Sequence, residues 1–238
     1  AASYFGLLKA GIDYRIMPGI FIGVMAQFDT AMDKSTSLNY MIKGNGWMAG
    51  PYAAARLGSN IYLDGRLLWG TSHNEVAPYM TQSDSFSSQR FLASARLSGR
   101  WQWDRLSVTP SIEYIHFMDK SSSFINYAGV MIDSQSVNIN RLLIGPEFRY
   151  SEPLNERWNI DTHLALRAIW DITQPTLMSL DGSTTEALRS RVHGKVEAGV
   201  SVSDKQGYAF GMGVGYEGFG GDGYQAKSIT GRIRVPLN

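Results

Sequence analysis

The segment from Phe91 to Trp103 constrains the fold most, because its two faces are chemically opposite. Alternate residues from Phe91 to Trp103 form an apolar row, while the positions between them include Arg96 and Arg100. A period of two residues indicates a β-strand. The step from Phe91 to Trp101 corresponds to about 26 Å of height at a tilt near 40° and roughly 3.4 Å per residue. That height matches the apolar band of an outer-membrane barrel, about 25 Å tall with aromatic residues at both edges.

The same alternation recurs along the chain and predicts an all-β fold, a transmembrane antiparallel β-barrel. The predicted strands are 3–16, 19–30, 42–57, 60–72, 88–103, 105–117, 135–151, 157–172, 190–204, 207–217 and 225–237. Tight connections at 17–19, 58–59, 104, 152–156 and 205–206 alternate with longer loops at 31–41, 73–87, 118–134, 173–189 and 218–223. Bacterial outer-membrane barrels are built in this way, with short periplasmic turns and long extracellular loops. The alternation therefore predicts extracellular long loops and a periplasmic C-terminus in a Gram-negative outer membrane.

The strand count is odd, whereas single-chain bacterial barrels have an even number of strands. The simplest explanation is one strand before residue 1, which gives a twelve-stranded barrel with about eleven strands in this chain. A strand miscounted within a long loop is the alternative. No Pro-rich or Ser/Gly-rich linker divides the chain, so residues 1–238 are expected to form one outer-membrane domain.

Three prolines, Pro51, Pro110 and Pro146, lie inside predicted strands, where the missing N–H removes a ladder hydrogen bond. Each is five to seven residues from a tight turn. A β-bulge near the periplasmic rim is the expected accommodation.

The overall composition excludes several classes of function. Lys plus Arg number 22 and Asp plus Glu number 21, so no bulk charge indicates a nucleic-acid partner. No apolar run approaches the ~20 residues of a membrane helix. Cysteine is absent, which suits passage through an oxidising envelope. No signal peptide opens the chain, so we expect a mature product or an excised domain.

Several short motifs occur in a characteristic order: Asp13-Tyr14-Arg15 before Pro18-Gly19-Ile20, Gly50-Pro51-Tyr52, Ile61-Tyr62-Leu63-Asp64-Gly65, Val108-Thr109-Pro110, Glu197-Ala198-Gly199-Val200-Ser201, and Gly213-Val214-Gly215-Tyr216-Glu217-Gly218. With this order and spacing the chain resembles the β-domain of the autotransporters, the translocator of type V secretion, over nearly its whole length. The C-terminal Val235-Pro236-Leu237-Asn238 departs from that family's usual terminal aromatic residue.

The resemblance implies a translocator barrel that anchors an N-terminal passenger and supports its export and surface display through a polar lumen. Its implied partners are outer-membrane lipid, the chain's own passenger and linker helix, and the barrel-assembly machinery. The linker helix and first strand would precede this chain. The barrel is expected to be monomeric, without nucleic acid, cofactor or enzymatic activity.

Two sets of residues are predicted from the register of the strands. The lumen-facing charges are Arg66, Arg96, Arg100, Glu113, Arg141, Glu147, Arg149, Asp161, Arg167, Glu197, Arg232 and Arg234. The membrane-interface aromatics are Tyr14, Phe28, Trp69, Phe91, Trp101, Trp103, Trp158, Trp170, Tyr208 and Tyr216. The charges either pair across strands and fill a wet cavity or make a conduit for an unfolded polypeptide, and the two roles are compatible.

No catalytic or metal-binding site is predicted. The four histidines show no ligand-spaced pair, and no Gly-x-Ser-x-Gly elbow is present. The glycine-rich segment 218–223 matches a dinucleotide fingerprint, but a strand follows it where a helix is needed, so a hairpin loop is expected. The alternative functions are a passive, porin-like or structural barrel without a passenger, an outer-membrane hydrolase with distant catalytic residues, and a soluble ligand-binding β-barrel.

Overall fold

The computed structural model describes residues 2–35, 40–78, 82–173, 176–178, 184–186, 190–221 and 225–236. Within those ranges, every regular element is a β-strand. No helix in them is long and apolar enough to cross a membrane. The all-β prediction is therefore confirmed.

The strands are β1 (Ala2–Met17), β2 (Ile20–Ser35), β3 (Tyr40–Arg56), β4 (Ile61–Pro78), β5 (Asp84–Gly99), β6 (Trp101–Trp103), β7 (Leu106–Ser121), β8 (Phe124–Ile125), β9 (Met131–Ile132), β10 (Ser136–Pro153), β11 (Trp158–Asp171), β12 (Thr176–Met178), β13 (Thr184–Glu186), β14 (Val192–Asp204), β15 (Ala209–Phe219) and β16 (Ala226–Arg234). The main sheet has the order β1-β2-β3-β4-β5-β7-β10-β11-β14-β15-β16, and β6 pairs with β7. Sequence neighbours thus pair throughout, as in an antiparallel meander. Two separate hairpins, β8–β9 and β12–β13, complete the described strands.

The predicted loop boundaries were wrong at several strand ends. Residues 31–35, 73–78, 84–87 and 118–121 belong to β2, β4, β5 and β7 rather than to loops. Two predicted loops also contain the hairpins β8–β9 and β12–β13. The physical reason is that a backbone ladder continues wherever N–H and C=O groups find partners, whether or not the side chains remain apolar. The last strand is shorter than predicted, since it ends at Arg234.

Residue contacts divide the chain into two compact units. Unit 1 comprises residues 1–55, 64–95 and 115–139, and unit 2 comprises residues 56–63, 96–114 and 140–238. In unit 1, β1 and β2 pair from Lys34 to the tight turn at Pro18-Gly19. Gly19 has a φ of 81°, a left-handed conformation that glycine adopts without steric strain.

Pro51 is accommodated in unit 1 without the expected bulge on its β2 side. The register of β2 and β3 is continuous from Ile20 to Ser35, and Pro51 lies opposite Val24. An unbroken register is possible because proline still fits the extended backbone and loses only one donor. The prediction of a bulge is therefore wrong for this strand pair.

Unit 2 contains the continuous set β10, β11, β14, β15 and β16. The β11–β14 register runs without a shift from Trp158 opposite Asp204 to Trp170 opposite Val192. The β14–β15 register shifts between Gly194 and Lys195. The fully buried apolar side chains are few: Met48 and Leu68 in unit 1 and Ile169 in unit 2 are the largest of them. Most of the large apolar residues therefore lie outside any core.

Candidate functional site: two opposite sheet faces

One face of each unit carries exposed apolar side chains, and we call it the apolar face. On β11 the exposed Leu164, Leu166 and Trp170 alternate with the buried Ala165 and Ile169. On β15 the exposed side chains are Phe210, Met212 and Val214, the last with 60% of its surface accessible. Soluble proteins rarely expose continuous apolar patches of this extent. The arrangement suits contact with lipid.

Aromatic residues mark the apolar face of unit 1 near the strand ends that lead into long loops. Phe28 pairs directly with Trp47 across β2 and β3. The Trp69 and Phe91 rings lie 5.6 Å apart, and Phe91 lies 6.0 Å from the His116 ring. Trp47 belongs to the same outward aromatic row by the alternation of its strand, whereas His116 was not assigned to this row from the sequence. Tyr14 is exposed at the opposite end, close to the Pro18 turn.

The predicted aromatics of unit 2 are also partly or largely exposed. Trp101 and Trp103 lie on β6, and Tyr208 precedes β15. The Arg157 guanidinium lies 5.4 Å from the Trp158 ring centroid, a cation–π distance. At the long-loop end, Trp170 closes the β11 row. Tyr216 makes an edge contact with Phe219 at 4.5 Å.

The opposite face, the polar face, carries the predicted charges. In unit 2, Arg141 Nε lies 2.7 Å from Asp171 Oδ1, and its Nη1 lies 3.3 Å from Glu217 Oε1. His193 Nε2 lies 2.9 Å from that same Glu217 oxygen, and its Nδ1 lies 3.9 Å from Asp171. We call these four residues the Arg141 cluster. Asp171 and His193 are almost fully buried, so the cluster supplies buried polar groups with charged and hydrogen-bonding partners.

A second group on the polar face of unit 2 centres on Glu147. Arg149 Nη2 lies 3.2 Å from one carboxylate oxygen of Glu147, and Arg167 Nη2 lies 3.8 Å from the other. Arg167 also donates through Nη1 to the Gly145 carbonyl at 3.1 Å. Lys195 and Glu197 form a further pair at 3.1 Å. Two of these pairs lie within one strand and the Arg167–Glu147 pair joins β10 to β11, so this polar surface is locally compensated in charge.

Asp161 and the terminal arginines lie around a cavity of about 360 Å³ on the polar face of unit 2. Asp161 accepts hydrogen bonds from the hydroxyls of Ser151 and Ser203. Arg232 and Arg234 line the same cavity and are exposed. His163 also lines it, as its register predicted.

The three remaining predicted charges of unit 2 lie on β5, on β7 and between β5 and β6. Arg96 is partly buried, Glu113 is partly buried, and Arg100 is exposed. The backbone N–H of Arg100 donates to the Asn60 carbonyl at 2.8 Å, at the break between β5 and β6. In unit 1, Arg66 donates through Nε to Ser94 Oγ at 3.1 Å.

The main charged group of unit 1 was missed by the sequence analysis. Arg90 lies 2.7 Å from Asp29 and 2.8 Å from Asp119, and all three side chains are largely buried. Asp119 lies in a segment that was predicted to be a loop, so the sequence pattern did not assign it to a face of the sheet. Continuing the alternation of Arg96 and Ser94 backward along β5 would have placed Arg90 on the polar face.

An exposed ion pair lies at a tight-turn end of unit 2. Arg105 Nη1 lies 2.6 Å from Glu152 Oε1, and both side chains are more than two-fifths exposed. A hydrogen bond with Tyr150, followed by the charge of Glu152, raises the pKa of Arg105.

Among the described residues, no group of three or more metal-ligating side chains could hold an ion.

Comparisons with known proteins agree with this geometry. A family model described as the autotransporter beta-domain matches residues 2–215. The β-domain of the Bordetella autotransporter BrkA is 15% identical, with a TM-score of 0.73 over 96% of this chain and 88% of that one. The AIDA-I transport unit from Escherichia coli is 13% identical, with a TM-score of 0.75 over 97% and 80%. A search of curated proteins finds no match.

The translocator domain of NalP from Neisseria meningitidis is 14% identical, with a TM-score of 0.69 over 97% of this chain and 78% of that one. At such identities the structural likeness establishes the fold, while the family model establishes the family. The resemblance stated from the sequence is confirmed. The chain therefore belongs to the autotransporter β-domain family, the outer-membrane translocator domains of the β-barrel class.

Proposed function

We propose that this domain anchors an N-terminal passenger in the outer membrane and supports its export to the cell surface. The observation that carries the proposal is the opposition of the two sheet faces in a member of this family. The apolar face would contact lipid, and the polar face would line the lumen through which an unfolded passenger passes. Partners would be the passenger, its linker helix and the barrel-assembly machinery.

The chemistry of the polar face supports passage rather than tight binding. Several of its charges occur as compensated pairs, such as Lys195 with Glu197 and Arg149 with Glu147. An unfolded polypeptide carries side chains of every type, and a surface with few exposed apolar groups offers it little that would retain it. The domain itself contributes no catalytic step in this proposal.

We propose an orientation in which the long loops are extracellular and the C-terminal strand ends on the periplasmic side. The tight turns at 18–19, 104–105 and 205–207 would then be periplasmic. The asymmetry of the connections supports this orientation, since outer-membrane barrels place their short turns in the periplasm. We further propose that residues 1–238 act as a monomeric translocator domain whose remaining strand and linker helix lie upstream.

An immunoblot of an outer-membrane fraction, boiled and unboiled, tests the proposal. We expect a heat-dependent shift on a band far above 26.4 kDa, or on a fragment of roughly 26–32 kDa with a separately released passenger. A shifted small band with no larger precursor would favour a passive barrel without a passenger. A soluble signal with no shift would contradict membrane insertion.

A protease-protection assay on intact cells tests export directly. The full-length protein should expose its passenger to added protease, while the barrel band persists in the membrane. Periplasmic retention of the passenger beside a folded, heat-modifiable barrel would contradict the export function and leave membrane insertion intact.

A further inference from the structure

A groove of about 440 Å³ opens on the apolar face of unit 2. Its lining includes Ala168 of β11 and Gly194 of β14, two small residues that pair directly. Larger residues surround them, among them Ile144, Leu166 and Phe219. The groove is largely open to the outside, and its surroundings are predominantly apolar. The groove is thus a shallow, open depression in the apolar face.

The first of two backbone features beside the groove is the Gly145-Pro146 step of β10, across which the register with β11 does not shift. The pairing with β11 runs from Ile144 opposite Ala168 to Glu147 opposite Ala165, and it passes over Gly145 and Pro146. Pro146 has no N–H to donate, and the Gly145 carbonyl accepts hydrogen bonds from the side chains of Arg167 and Ser111. A Cβ on Gly145 would lie 1.8 Å from the Leu166 carbonyl oxygen, so the backbones approach closely here. The groove wall is therefore built on a position that requires glycine.

The second feature is a register shift between β14 and β15. Gly194 pairs with Phe219 while Lys195 pairs with Glu217, so Gly218 is the extra residue of a bulge. Its φ of 123° is one that other residues rarely adopt. The bulge brings Phe219 opposite Gly194, where the aromatic ring forms one side of the groove. Bulges of this kind often redirect side chains at functional positions.

A cation stands beside the aromatic side of the groove. Phe219 contacts Tyr216, and Tyr216 pairs directly with Lys227 on β16. Lys227 is exposed and shares the face of Tyr216, because directly opposed residues project to the same side of a sheet. A lysine on a membrane-facing surface extends its ammonium toward the headgroup region. An anionic headgroup would complement that charge.

We propose that this groove binds one acyl chain of a phosphate-bearing membrane lipid, whose phosphate lies near the Lys227 ammonium. The proposal rests on contact of the apolar face with the membrane, but it does not depend on passenger export. The small floor residues admit the chain, Phe219 and Ile144 flank it, and Lys227 selects the headgroup.

Native mass spectrometry of the purified full-length protein tests the proposal. The protein is exchanged into mild detergent containing phosphatidylglycerol, which is anionic, or phosphatidylcholine, which is zwitterionic. We expect one retained phosphatidylglycerol per protein, and about fivefold weaker retention of phosphatidylcholine. Lys227→Gln should lower phosphatidylglycerol retention by about the same factor.

Ala168→Phe should fill the groove and abolish lipid retention. Ala198→Phe is the matched control, because Ala198 lies opposite Leu164 and outside the groove on the same face. Each variant is first checked for the heat-dependent shift of a folded barrel. If Ala168→Phe does not fold, Ala168→Leu provides the same test with a smaller side chain.

Equal retention by Ala168→Phe and Ala198→Phe would overturn the proposed site. The proposed site would also be overturned if the folded wild-type protein retained no lipid. A dimer that forms through this face would overturn it as well. Equal retention of the two lipids would overturn the role of Lys227. None of these results would bear on passenger export, which is measured separately.

Discussion

Arg141 and Asp171 lie directly opposite each other across β10 and β11, and Arg141 Nε is 2.7 Å from Asp171 Oδ1. The same guanidinium reaches Glu217 on β15, beyond β11 and β14. His193 on β14 contacts Glu217 from the other side. The Arg141 cluster thus joins four strands through their side chains, in addition to the backbone ladder.

Arg141→Ala should destabilise the folded domain by about 2–4 kcal/mol. The substitution leaves the carboxylates of Asp171 and Glu217 on the polar face without their cation, while Arg141 itself is 23% exposed, which moderates the loss. Chemical denaturation in detergent micelles, followed by the heat-dependent shift, measures the change in unfolding free energy. Arg105→Ala is the control, because its pair with Glu152 is exposed, and it should have little effect. Equal losses in both variants would contradict the cluster's structural role.

Arg90→Lys should be less stable than wild type but more stable than Arg90→Ala. Arg90 contacts Asp29 and Asp119 through different nitrogens of one planar group, and a lysine ammonium lacks that forked geometry. We expect losses of about 1–2 kcal/mol for lysine and about 2–4 kcal/mol for alanine. The same denaturation measurement applies. If Arg90→Lys were as stable as the wild type, a positive charge at residue 90 would be enough for stability, and the forked geometry of arginine would not be needed.

Gly70→Ala should destabilise unit 1 by about 1–3 kcal/mol through overpacking. A Cβ at residue 70 would lie 1.8 Å from the Trp47 carbonyl oxygen, so the two strands would have to separate. Gly231→Ala is the matched control in β16, where a Cβ would meet nothing within 4 Å. That change should be neutral or stabilising by up to about 1 kcal/mol, because alanine has less conformational freedom when unfolded. If the two substitutions changed the unfolding free energy by similar amounts, the close approach of Gly70 to the Trp47 carbonyl would be contradicted.

Leu164→Arg should destabilise the membrane-inserted domain by about 2–4 kcal/mol, whereas His163→Arg should be close to neutral. The two residues are adjacent in β11 but lie on opposite faces, and His163 borders the cavity on the polar face. Denaturation in lipid vesicles provides the comparison. If Leu164→Arg were tolerated as well as His163→Arg, the apolar face would be in water, as in a soluble barrel.

The alternation of residues predicted the strands of the main sheet but not the hairpins β8–β9 and β12–β13, and on β11 it also predicted the two faces. Leu164, Leu166 and Trp170 were assigned to one face of β11 and Arg167 and Asp171 to the other, and the structure shows this alternation. A period-two pattern determines the face because each backbone step reverses the side chain. Strand ends were less predictable. Residues 73–78 are polar enough to suggest a loop, yet their backbone continues β4.

The partners of the charges could not be predicted from the pattern. Arg141 contacts both Asp171 and Glu217. These contacts depend on the offset between strands that are far apart in sequence. The alternation within one strand does not determine that offset. The shift between Gly194 and Lys195 is a second example, since it changes which residues of β14 and β15 face each other. A glycine at 218 indicated a turn but gave no sign of a bulge.

The Arg90–Asp29 pair has a consequence for the geometry of the wall. β2 and β5 are separated by three strand spacings, roughly 14 Å measured along the sheet. The pair nevertheless closes to 2.7 Å, and Arg90 crosses above Gly46 of β3, where a Cβ would lie 2.3 Å from its Nη1. The sheet must therefore curve between β2 and β5, so that the two side chains can meet directly across the concave side of these four strands. The length of the Arg90 side chain therefore limits how flat the sheet from β2 to β5 can be.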